Sequence, residues 1–408
     1  MPTSLASRLK VIQPSATLAM NARAQEMKSR GIDVFTFGVG EPDFEPASYI
    51  LDAANEAIAQ KKSSKYTAVT GIAPLKEAIC KASARRRGDA PKPENVTVTV
   101  GAKHALFNLA LALYDAGDEV VMPAPYWVSY PEQVRIVGAE PVIVGTEEEN
   151  GWRMTPDALE RAITKKTKAV ILCTPSNPTG AAYGEKDLRA LCEVMEAHDA
   201  WLIVDEIYAE LVYDGFVNVS ASTIAKDMKR LKDRLIVIDG VSKSYAMTGW
   251  RIGWSIAPRE VAKACDVVQG QSTTNPSAVA QYAAIAALNG PQDEVQKMRA
   301  TFEKRRDAMV GGLNSLPGVK CRKPEGAFYA FADVRGLYGL EHGDVTIEND
   351  NDVAMFLLDK AHVASVAGGP FGAPGFLRLS YATSEDRIKA GIESMRKAID
   401  TAKRAHGA

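Results

Sequence analysis

The feature that most constrains the fold is an alternation of short apolar segments with segments of helical spacing, which begins near residue 95. The segment "NVTVTVG" (95–101) predicts a strand that ends in glycine, and "AKHALFNLALALYDAG" (102–117) predicts the helix after it. The same criteria predict a helix at 185–199, a strand that runs into a Pro/Asn/Gly loop at 168–180, and strands at 118–123, 200–206, 233–240 and 251–258. Apolar strands separated by helices predict a mostly parallel sheet that helices cover on both faces.

The C-terminal part of the chain has a different pattern. A long charged helix is predicted at 295–316, and strand-like segments follow near 326–334 and 375–383. The segment 384–405 opens with a serine that suits a helix N-cap and predicts a closing helix. We therefore expect three parts, and their bounds are 1–45 for an N-terminal arm and part of a smaller domain, 46–300 for a large domain, and 301–408 for the C-terminal small domain.

Composition and charge exclude several classes of protein. The 408 residues carry a net charge of −1, with 46% hydrophobic and 24% charged residues, which predicts neither nucleic-acid nor membrane-surface binding. No stretch approaches the ~18 apolar residues of a membrane span, and the N-terminus lacks the apolar run of a signal peptide. The five cysteines are scattered and never form CxxC, and the histidines form no ligand-spaced pair. We expect no metal site, no disulfide framework and a cytoplasmic location.

Polar side chains follow four of the predicted strands at the point where each strand ends. Residues 101–103 follow the first strand, Asn177 follows another, Asp205 and Tyr208 follow a third, and Lys243 follows the fourth. Ligands of open α/β sheets bind beyond the carboxyl ends of the strands. One polar strand end is ordinary, but four together favour a shared site.

The chemistry of these residues narrows the ligand. Free N–H groups at the helix N-terminus after Gly101 favour a phosphate, and Arg251 adds a bidentate contact. Asp205 ends the buried segment "WLIVD" and needs a cationic partner. Lys243, if desolvated near other cations, has a lowered pKa and acts as an amine nucleophile. A phosphate site, an aspartate for a pyridinium nitrogen and a Schiff-base lysine are the requirements of pyridoxal phosphate.

Eight segments of the chain resemble, in order and at family spacing, those of fold-type-I pyridoxal-phosphate aminotransferases of class I/II. They are "PSAT" (14–17), "GEPDF" (40–44), "KYTAVTGIAPLK" (65–76), "PYWVSYPE" (125–132), "PSNPTG" (175–180), "DEIY" (205–208), "SKSYAMTGWRIGW" (242–254) and "RLSYAT" (378–383). The chain is most similar to the bacterial aspartate aminotransferases of subgroup Ib, over nearly its whole length. The resemblance implies an α/β fold, with a mostly parallel seven-stranded sheet sandwiched by helices in a large domain, and a smaller α/β domain.

The resemblance also implies a role for each residue of the cofactor site. Lys243 forms the Schiff base with pyridoxal phosphate and then moves the substrate proton. Asp205 keeps the pyridine nitrogen protonated, Tyr208 and Asn177 hydrogen-bond the ring O3′, and Trp127 stacks on the ring face. Lys243, Asp205 and Tyr208 are accordingly the predicted catalytic residues. The residues implied around the phosphate are Gly101, Ala102, Lys103 and Arg251.

The substrate residues follow from the same resemblance. Arg378 binds the α-carboxylate, assisted by Asn177 and the backbone at Gly40, with Trp127 beside it. Tyr66 reaches the phosphate of the neighbouring subunit, which implies a homodimer with shared active sites. The residues implied at the distal carboxylate of aspartate or glutamate are Lys103, Ser15 and Thr17.

The chain departs from the family pattern at two places. Many relatives carry a serine that contacts the phosphate three residues before the lysine, where this chain has Gly240. Either Ser242 compensates as a cofactor contact or one contact is missing. Relatives also often read GKQ where this chain reads "AKH" (102–104), which keeps Lys103 and changes its neighbour.

The predicted function is a transaminase that moves an amino group between L-aspartate or L-glutamate and a 2-oxo acid, 2-oxoglutarate or oxaloacetate, by a ping-pong mechanism. An alternative within the family prefers prephenate, aromatic substrates or alanine. A second alternative is a pyridoxal-phosphate lyase or decarboxylase, although Arg378 argues against loss of the carboxylate it holds. A third is a non-catalytic regulator, but no segment resembles an added DNA-binding domain. The segment "GVGEPD" (38–43) resembles the start of a dinucleotide fingerprint but lacks its third glycine.

Overall fold

The computed structural model describes residues 5–342 and 345–403. The helices are α1 (Ala16–Ser29), α2 (Ser48–Ala59), α3 (Ala73–Arg87), α4 (Ala102–Leu113), α5 (Ser129–Ile136), α6 (Pro156–Ala162), α7 (Glu185–Ala197), α8 (Ala221–Ala225), α9 (Arg259–Gly270), α10 (Ala278–Asn289), α11 (Asp293–Asn314), α12 (Asp350–Ala361) and α13 (Glu385–Thr401). The strands are β1 (Phe35–Thr36), β2 (Val96–Val100), β3 (Glu119–Ala124), β4 (Glu140–Gly145), β5 (Thr167–Cys173), β6 (Trp201–Asp205), β7 (Leu235–Gly240), β8 (Ile252–Ile256), β9 (Lys320–Cys321), β10 (Tyr329–Asp333), β11 (Glu341–His342), β12 (Val345–Thr346), β13 (Val363–Ala364), β14 (Val366–Ala367) and β15 (Phe376–Ser380).

The largest sheet has seven strands in the order β2-β8-β7-β6-β5-β3-β4. Strand β8 is antiparallel to both of its neighbours, and the remaining neighbours are parallel to each other. The carboxyl ends of β5, β6 and β7 therefore meet at one edge of the sheet. The predicted mostly parallel seven-stranded sheet is confirmed.

The central strands are apolar because helices cover both faces of the sheet. All residues of β7 are buried, as expected for a strand of a parallel sheet. On one face, α7 packs its buried stripe of Leu188, Leu191, Cys192 and Met195 against the sheet. On the other face, residues of α4 pack against Ile203 and its neighbours. Because helices cover both faces of the sheet, its carboxyl edge remains uncovered.

A second, antiparallel sheet has the order β14-β15-β10-β9. Helices α11, α12 and α13 contribute to the core beside it. Strand β1, near the N-terminus, pairs in parallel with β13. The domain division at 45 and 300 stays a prediction, and residue 300 lies inside α11, which runs unbroken from Asp293 to Asn314.

The predicted elements are confirmed with shifts of a few residues at their ends. Ser384 caps α13, since its hydroxyl accepts a hydrogen bond from the Arg387 N–H at 3.2 Å. The helix ends at Thr401, and residues 404 and 405 of the predicted segment lie outside the described residues. Strand β4, at the edge of the sheet, has only Pro141 buried and is not among the predicted strands. In the part of the chain that the structure describes, every helix is too short or too polar to cross a membrane.

Candidate active site

A cavity of about 260 Å³ opens at the carboxyl edge of the large sheet. The predicted site residues that line it are Ser15, Thr17, Gly40, Ala102, Lys103, Trp127, Asn177, Asp205, Tyr208, Ser242, Lys243, Arg251 and Arg378. Gly101 precedes Ala102 and touches Arg251. Ser15 and Arg378, 363 positions apart in sequence, thus share one cavity with Asp205 and Lys243, which meet there because the parallel strands β6 and β7 end at the same edge.

Asp205 lies at the end of β6 and is 3% exposed. The Tyr130 hydroxyl donates a hydrogen bond to its Oδ2 at 2.8 Å, and the Ile207 N–H donates to Oδ1 at 3.2 Å. Burial raises the pKa of Asp205 to about 6, and the two donors oppose that rise. A buried carboxylate with a raised pKa favours a cationic ligand, because the cation supplies the charge that water would otherwise solvate.

Lys243 follows β7 on a loop that returns through Arg251 to β8. Its Nζ donates a hydrogen bond to the Gly40 carbonyl at 2.6 Å and lies 6.0 Å from the centroid of the Tyr208 ring. Burial, together with the charges of Arg251 and Arg378, lowers the pKa of Lys243 to about 8. A fraction of the amine is therefore neutral and nucleophilic near neutral pH.

Arg378, on β15, is 2% exposed and is held by two acceptors. Its Nη1 donates to Asn177 Oδ1 at 2.9 Å, and its Nη2 donates to the Gly38 carbonyl at 2.8 Å. Its buried Nε has no acceptor among the described residues. Arg378 and Asn177, which are predicted to bind the substrate α-carboxylate with help from the Gly40 backbone, are thus hydrogen-bonded to each other, and the Gly40 carbonyl accepts from Lys243.

The start of α4 forms a small concave surface beside Arg251. Gly101 has φ +80°, and an added Cβ would lie 2.9 Å from the Arg251 Cζ. A Cβ on Gly253 would lie 2.6 Å from the Gly101 carbonyl carbon. Arg251 Nη1 donates to the Thr248 carbonyl at 2.8 Å, which holds the guanidinium over the helix start. Two glycines and a fixed cation therefore leave room for an anion at this helix N-terminus.

Lys103 and Trp127 lie together near the N-terminal segment. The Lys103 Nζ lies 4.8 Å from the centroid of the Trp127 ring, a cation–π contact. Burial and the charge of Arg251 lower the pKa of Lys103. Ser15 and Thr17 line the same cavity from the start of α1.

The glycine at position 240 has a packing reason in this chain. An added Cβ would lie 2.9 Å from the Ile252 carbonyl oxygen and 3.0 Å from Gly253 Cα, so a serine here requires a shift of β8. Ser242 is buried and lines the cavity. Tyr66 is not among the residues that line the cavity, and it is 88% exposed.

Two tyrosines in the cavity were not predicted. Tyr130 contacts Asp205, and it lies in the segment "PYWVSYPE", of which only Trp127 was singled out. Tyr329, on β10, pairs its hydroxyl with that of Tyr208 at 2.9 Å, and its ring centroid lies 4.6 Å from the Arg378 Cζ. Tyr130 lies inside α5, six residues after the end of β3, and Tyr329 lies within β10 of the antiparallel sheet, so neither stands directly at a strand end of the large sheet.

Residues 32–395 match the sequence profile of a family described as aminotransferase class I and II. The chain belongs to the aminotransferase class I and II family. The prediction of an aminotransferase is therefore confirmed, and the fold agrees with that of solved relatives.

Three relatives illustrate how similar this aminotransferase is to characterised members. It is 46% identical to an aspartate aminotransferase of Geobacillus stearothermophilus, over 97% of this chain and 99% of that protein. It is 44% identical to an aspartate/prephenate aminotransferase of Cereibacter sphaeroides, over 94% and 96% of the two chains. The crystal structure of an aspartate aminotransferase from Rhizobium meliloti superimposes with a TM-score of 0.94, at 44% identity, over 98% of this chain and 100% of that one.

Proposed function

We propose that this aminotransferase binds pyridoxal phosphate and moves an amino group between L-aspartate or L-glutamate and a 2-oxo acid, 2-oxoglutarate or oxaloacetate. The observation that carries the proposal is the single cavity that contains Lys243, Asp205 and the open start of α4. A reactive amine, a buried carboxylate and an anion site are three independent requirements of this cofactor.

The residues present fit pyridoxal phosphate. Gly101 and Gly253 leave the start of α4 uncovered, and Arg251 adds a cation there, which suits the phosphate. Asp205 suits the ring nitrogen, since a buried carboxylate is stabilised by a cationic partner. Trp127 lines the cavity as a ring for stacking. Tyr208 and Asn177 offer polar groups for the ring oxygen.

When bound, pyridoxal phosphate supplies an electron-withdrawing ring on which the amino group is carried between two half-reactions. Asp205 holds a proton on the ring nitrogen, and Tyr130 and Ile207 hold Asp205 in place. Lys243 provides the amine that takes and returns a proton at the substrate Cα. Because the amino acid and the 2-oxo acid use the same cavity in turn, the kinetics are ping-pong.

Arg378 is proposed to bind the α-carboxylate of every substrate. Its buried Nε lacks an acceptor in the described part of the chain, and an anion would satisfy it. The charge-assisted contact also orients the substrate, so that Cα faces Lys243.

Lys103, Ser15 and Thr17 are proposed to bind the distal carboxylate. A lysine is a flexible point charge that adapts to a four-carbon or a five-carbon dicarboxylate. The relatives named aspartate aminotransferase support this substrate class. The relative named aspartate/prephenate aminotransferase supports prephenate as a second amino acceptor.

Two further proposals concern the state of the protein. We infer a homodimer with shared active sites, because Tyr66 is 88% exposed and does not line the cavity of its own chain. We also infer a reducing compartment such as the cytoplasm, because all five cysteines are free and four of them are buried.

The proposal is tested by labelling and by half-reactions. Pyridoxal phosphate is added, the protein is reduced with borohydride, and the modified peptide is identified by mass spectrometry. The adduct is expected on Lys243, and an adduct on Lys103 would contradict the assignment. A screen of twenty amino acids in single half-reactions should give oxaloacetate from aspartate and 2-oxoglutarate from glutamate faster than it gives products from neutral amino acids.

A further inference from the structure

A group of buried charges lies behind the carboxyl ends of β6 and β7, on the far side from the cavity. Arg87, the last residue of α3, is buried and bridges two carboxylates. Its Nε donates to Glu206 Oε2 at 2.6 Å, and its Nη2 donates to Asp239 Oδ2 at 2.5 Å. We call Arg87, Glu206 and Asp239 the arginine clamp.

Each carboxylate of the arginine clamp also has a donor on its other oxygen. The Ser220 hydroxyl donates to Glu206 Oε1 at 2.6 Å, and the Gly240 N–H donates to Asp239 Oδ1 at 2.7 Å. Both carboxylates are therefore fully hydrogen-bonded in a buried place, where an unpaired charge would be strongly unfavourable.

The arginine clamp is adjacent in sequence to both central residues of the cavity. Glu206 directly follows Asp205, and Asp239 precedes Lys243 by four residues. Successive side chains of an extended chain point to opposite faces, so Glu206 turns toward α3 while Asp205 turns toward the cavity. The Glu206 N–H also donates to the Ile238 carbonyl at 2.9 Å, which continues the pairing of β6 with β7 up to the clamp.

Arg86 extends the contact to the other side of Lys243. Its Nη2 donates to the Tyr245 hydroxyl at 2.5 Å, and its Nε pairs with Glu210 at 2.9 Å. The end of α3 therefore holds the chain before Lys243, through Asp239, and after it, through Tyr245.

The ionisable groups close enough to influence Asp205 come from several elements. They are Tyr130 on α5, Cys173 on β5, Glu206 beside it, Asp239 on β7 and Lys243 on the following loop. The two clamp carboxylates both act to raise the pKa of Asp205. Arg87 is the cation that bonds directly to both of them.

We propose that Arg87 is a positioning residue of the active site, which holds the ends of β6 and β7 together and cancels the charge of the two carboxylates next to Asp205 and Lys243. Arg87 is absent from the cavity wall, so it acts only through these neighbours. The consequence for cofactor binding rests on the proposed function, whereas the effect on Asp205 does not.

The test is the variant Arg87→Met, which removes the cation and keeps an unbranched side chain. In cofactor-free protein, the ionisation of Asp205 is followed by carboxyl ¹³C NMR and assigned with Asp205→Asn. Without Arg87, Glu206 loses its cation and Asp239 keeps only Arg86, 3.9 Å away, so the midpoint of Asp205 should move upward by roughly one pH unit. The dissociation constant of pyridoxal phosphate, measured by titration, should rise by about tenfold or more, because the ends of β6 and β7 no longer hold Asp205 and Lys243 in place for one ligand.

Arg306→Met is the matched control. Arg306 is a second fully buried arginine, paired with Asp214 and Asp307 and distant from the cavity lining. It should lower the melting temperature as Arg87→Met does, yet leave the Asp205 midpoint and the cofactor dissociation constant unchanged. If Arg87→Met likewise lowers only the melting temperature, Arg87 is a purely structural residue and the proposal is wrong.

A charge-balanced variant keeps the test decisive if Arg87→Met fails to fold. Arg87→Met combined with Glu206→Gln and Asp239→Asn removes all three charges, and both amides still accept the bonds from Ser220 and Gly240. Asp205 should then ionise at or below its midpoint in the unmodified protein. A midpoint well above it would contradict the charge argument. Protein that binds no pyridoxal phosphate in any variant would contradict the proposed function, while the titration still decides the role of Arg87.

Discussion

At the scale of single residues, the raised pKa of Asp205 has a consequence for stability. The native protein holds a proton on Asp205 up to about pH 6, whereas the unfolded chain releases it near pH 4. Native protein therefore binds more protons between these values, and its free energy of unfolding falls as the pH rises through this window. Well above pH 6, Asp205 is ionised in both states, and its effect on the free energy of unfolding no longer changes with pH.

Asp205→Asn should consequently stabilise the cofactor-free protein. The amide oxygen still accepts from the Ile207 N–H, and the amide nitrogen can donate to the Tyr130 hydroxyl. The free energy of unfolding of the variant should therefore exceed that of the unmodified protein by roughly 2–3 kcal/mol at pH 8, at ~1.4 kcal/mol per pH unit. The advantage should vanish near pH 4. Urea denaturation at both pH values measures it, and an equal difference at both would show that packing, not charge, changed. With pyridoxal phosphate present, the variant should bind the cofactor more weakly.

Lys103 allows the substrate proposal to be tested residue by residue. Lys103→Ser should remove one charge-assisted hydrogen bond, worth about 1.5–3 kcal/mol, and lower kcat/KM for aspartate about ten- to a hundredfold. Alanine has no distal carboxylate and serves as the control substrate, with little change expected. An equal loss for both substrates would mean that Lys103 serves the phosphate and that the acidic preference must be withdrawn.

At the scale of elements, the start of α4 depends on how closely β8 passes it. Gly253 faces the backbone of Gly101 and Ala102, and a methyl group there would push the helix start away from Arg251. Gly249, four residues earlier, is exposed and has open space around an added Cβ. Alanine at Gly249 is therefore a matched control for alanine at Gly253.

Gly253→Ala should weaken cofactor binding while Gly249→Ala should not. Overpacking of a fitted contact costs about 1–3 kcal/mol, which corresponds to a rise of about five- to a hundredfold in the dissociation constant of pyridoxal phosphate. Fluorescence titration of the cofactor-free variants measures the effect. Equal affinity of the two variants would mean that the anion does not bind at the start of α4.

At the scale of the whole molecule, Tyr66 distinguishes a shared site from a self-contained one. Lys243→Ala subunits and Tyr66→Ala subunits are each expected to be nearly inactive. In a hybrid dimer, the subunit with an intact Lys243 receives an intact Tyr66 from its partner. Random mixing by unfolding and refolding should therefore restore about a quarter of full activity, as the two-fold symmetry of a dimer requires.

Hybrids of Lys243→Ala with Arg251→Ala subunits provide the control. Both residues line the cavity of one chain, so no hybrid contains an intact site and activity should stay low. Activity that stays equally low in the Tyr66 hybrids, once heterodimers are detected by mass spectrometry, would contradict the shared site.

Local sequence patterns were enough to predict the large sheet, apart from β4, and the polar residues at its carboxyl edge. Strand patterns are local, and the apolar runs that precede Asp205 and Lys243 leave each residue at a strand end. Parallel strands end at the same edge, and these two residues meet there because β6 and β7 are neighbours in the sheet. The order and spacing of the eight motifs likewise indicated the family to which the chain belongs.

Only the tertiary structure decided which residues from outside the large sheet complete the site. Tyr329 arrives from the antiparallel sheet and Tyr130 from α5, and the local pattern around them is that of ordinary core residues. Arg87 is a further residue that local patterns could not identify. It lies at a charged helix end, and it bridges two buried carboxylates only because α3 packs behind β6 and β7. Such contacts depend on how elements pack across long sequence separations, and no local periodicity encodes that packing.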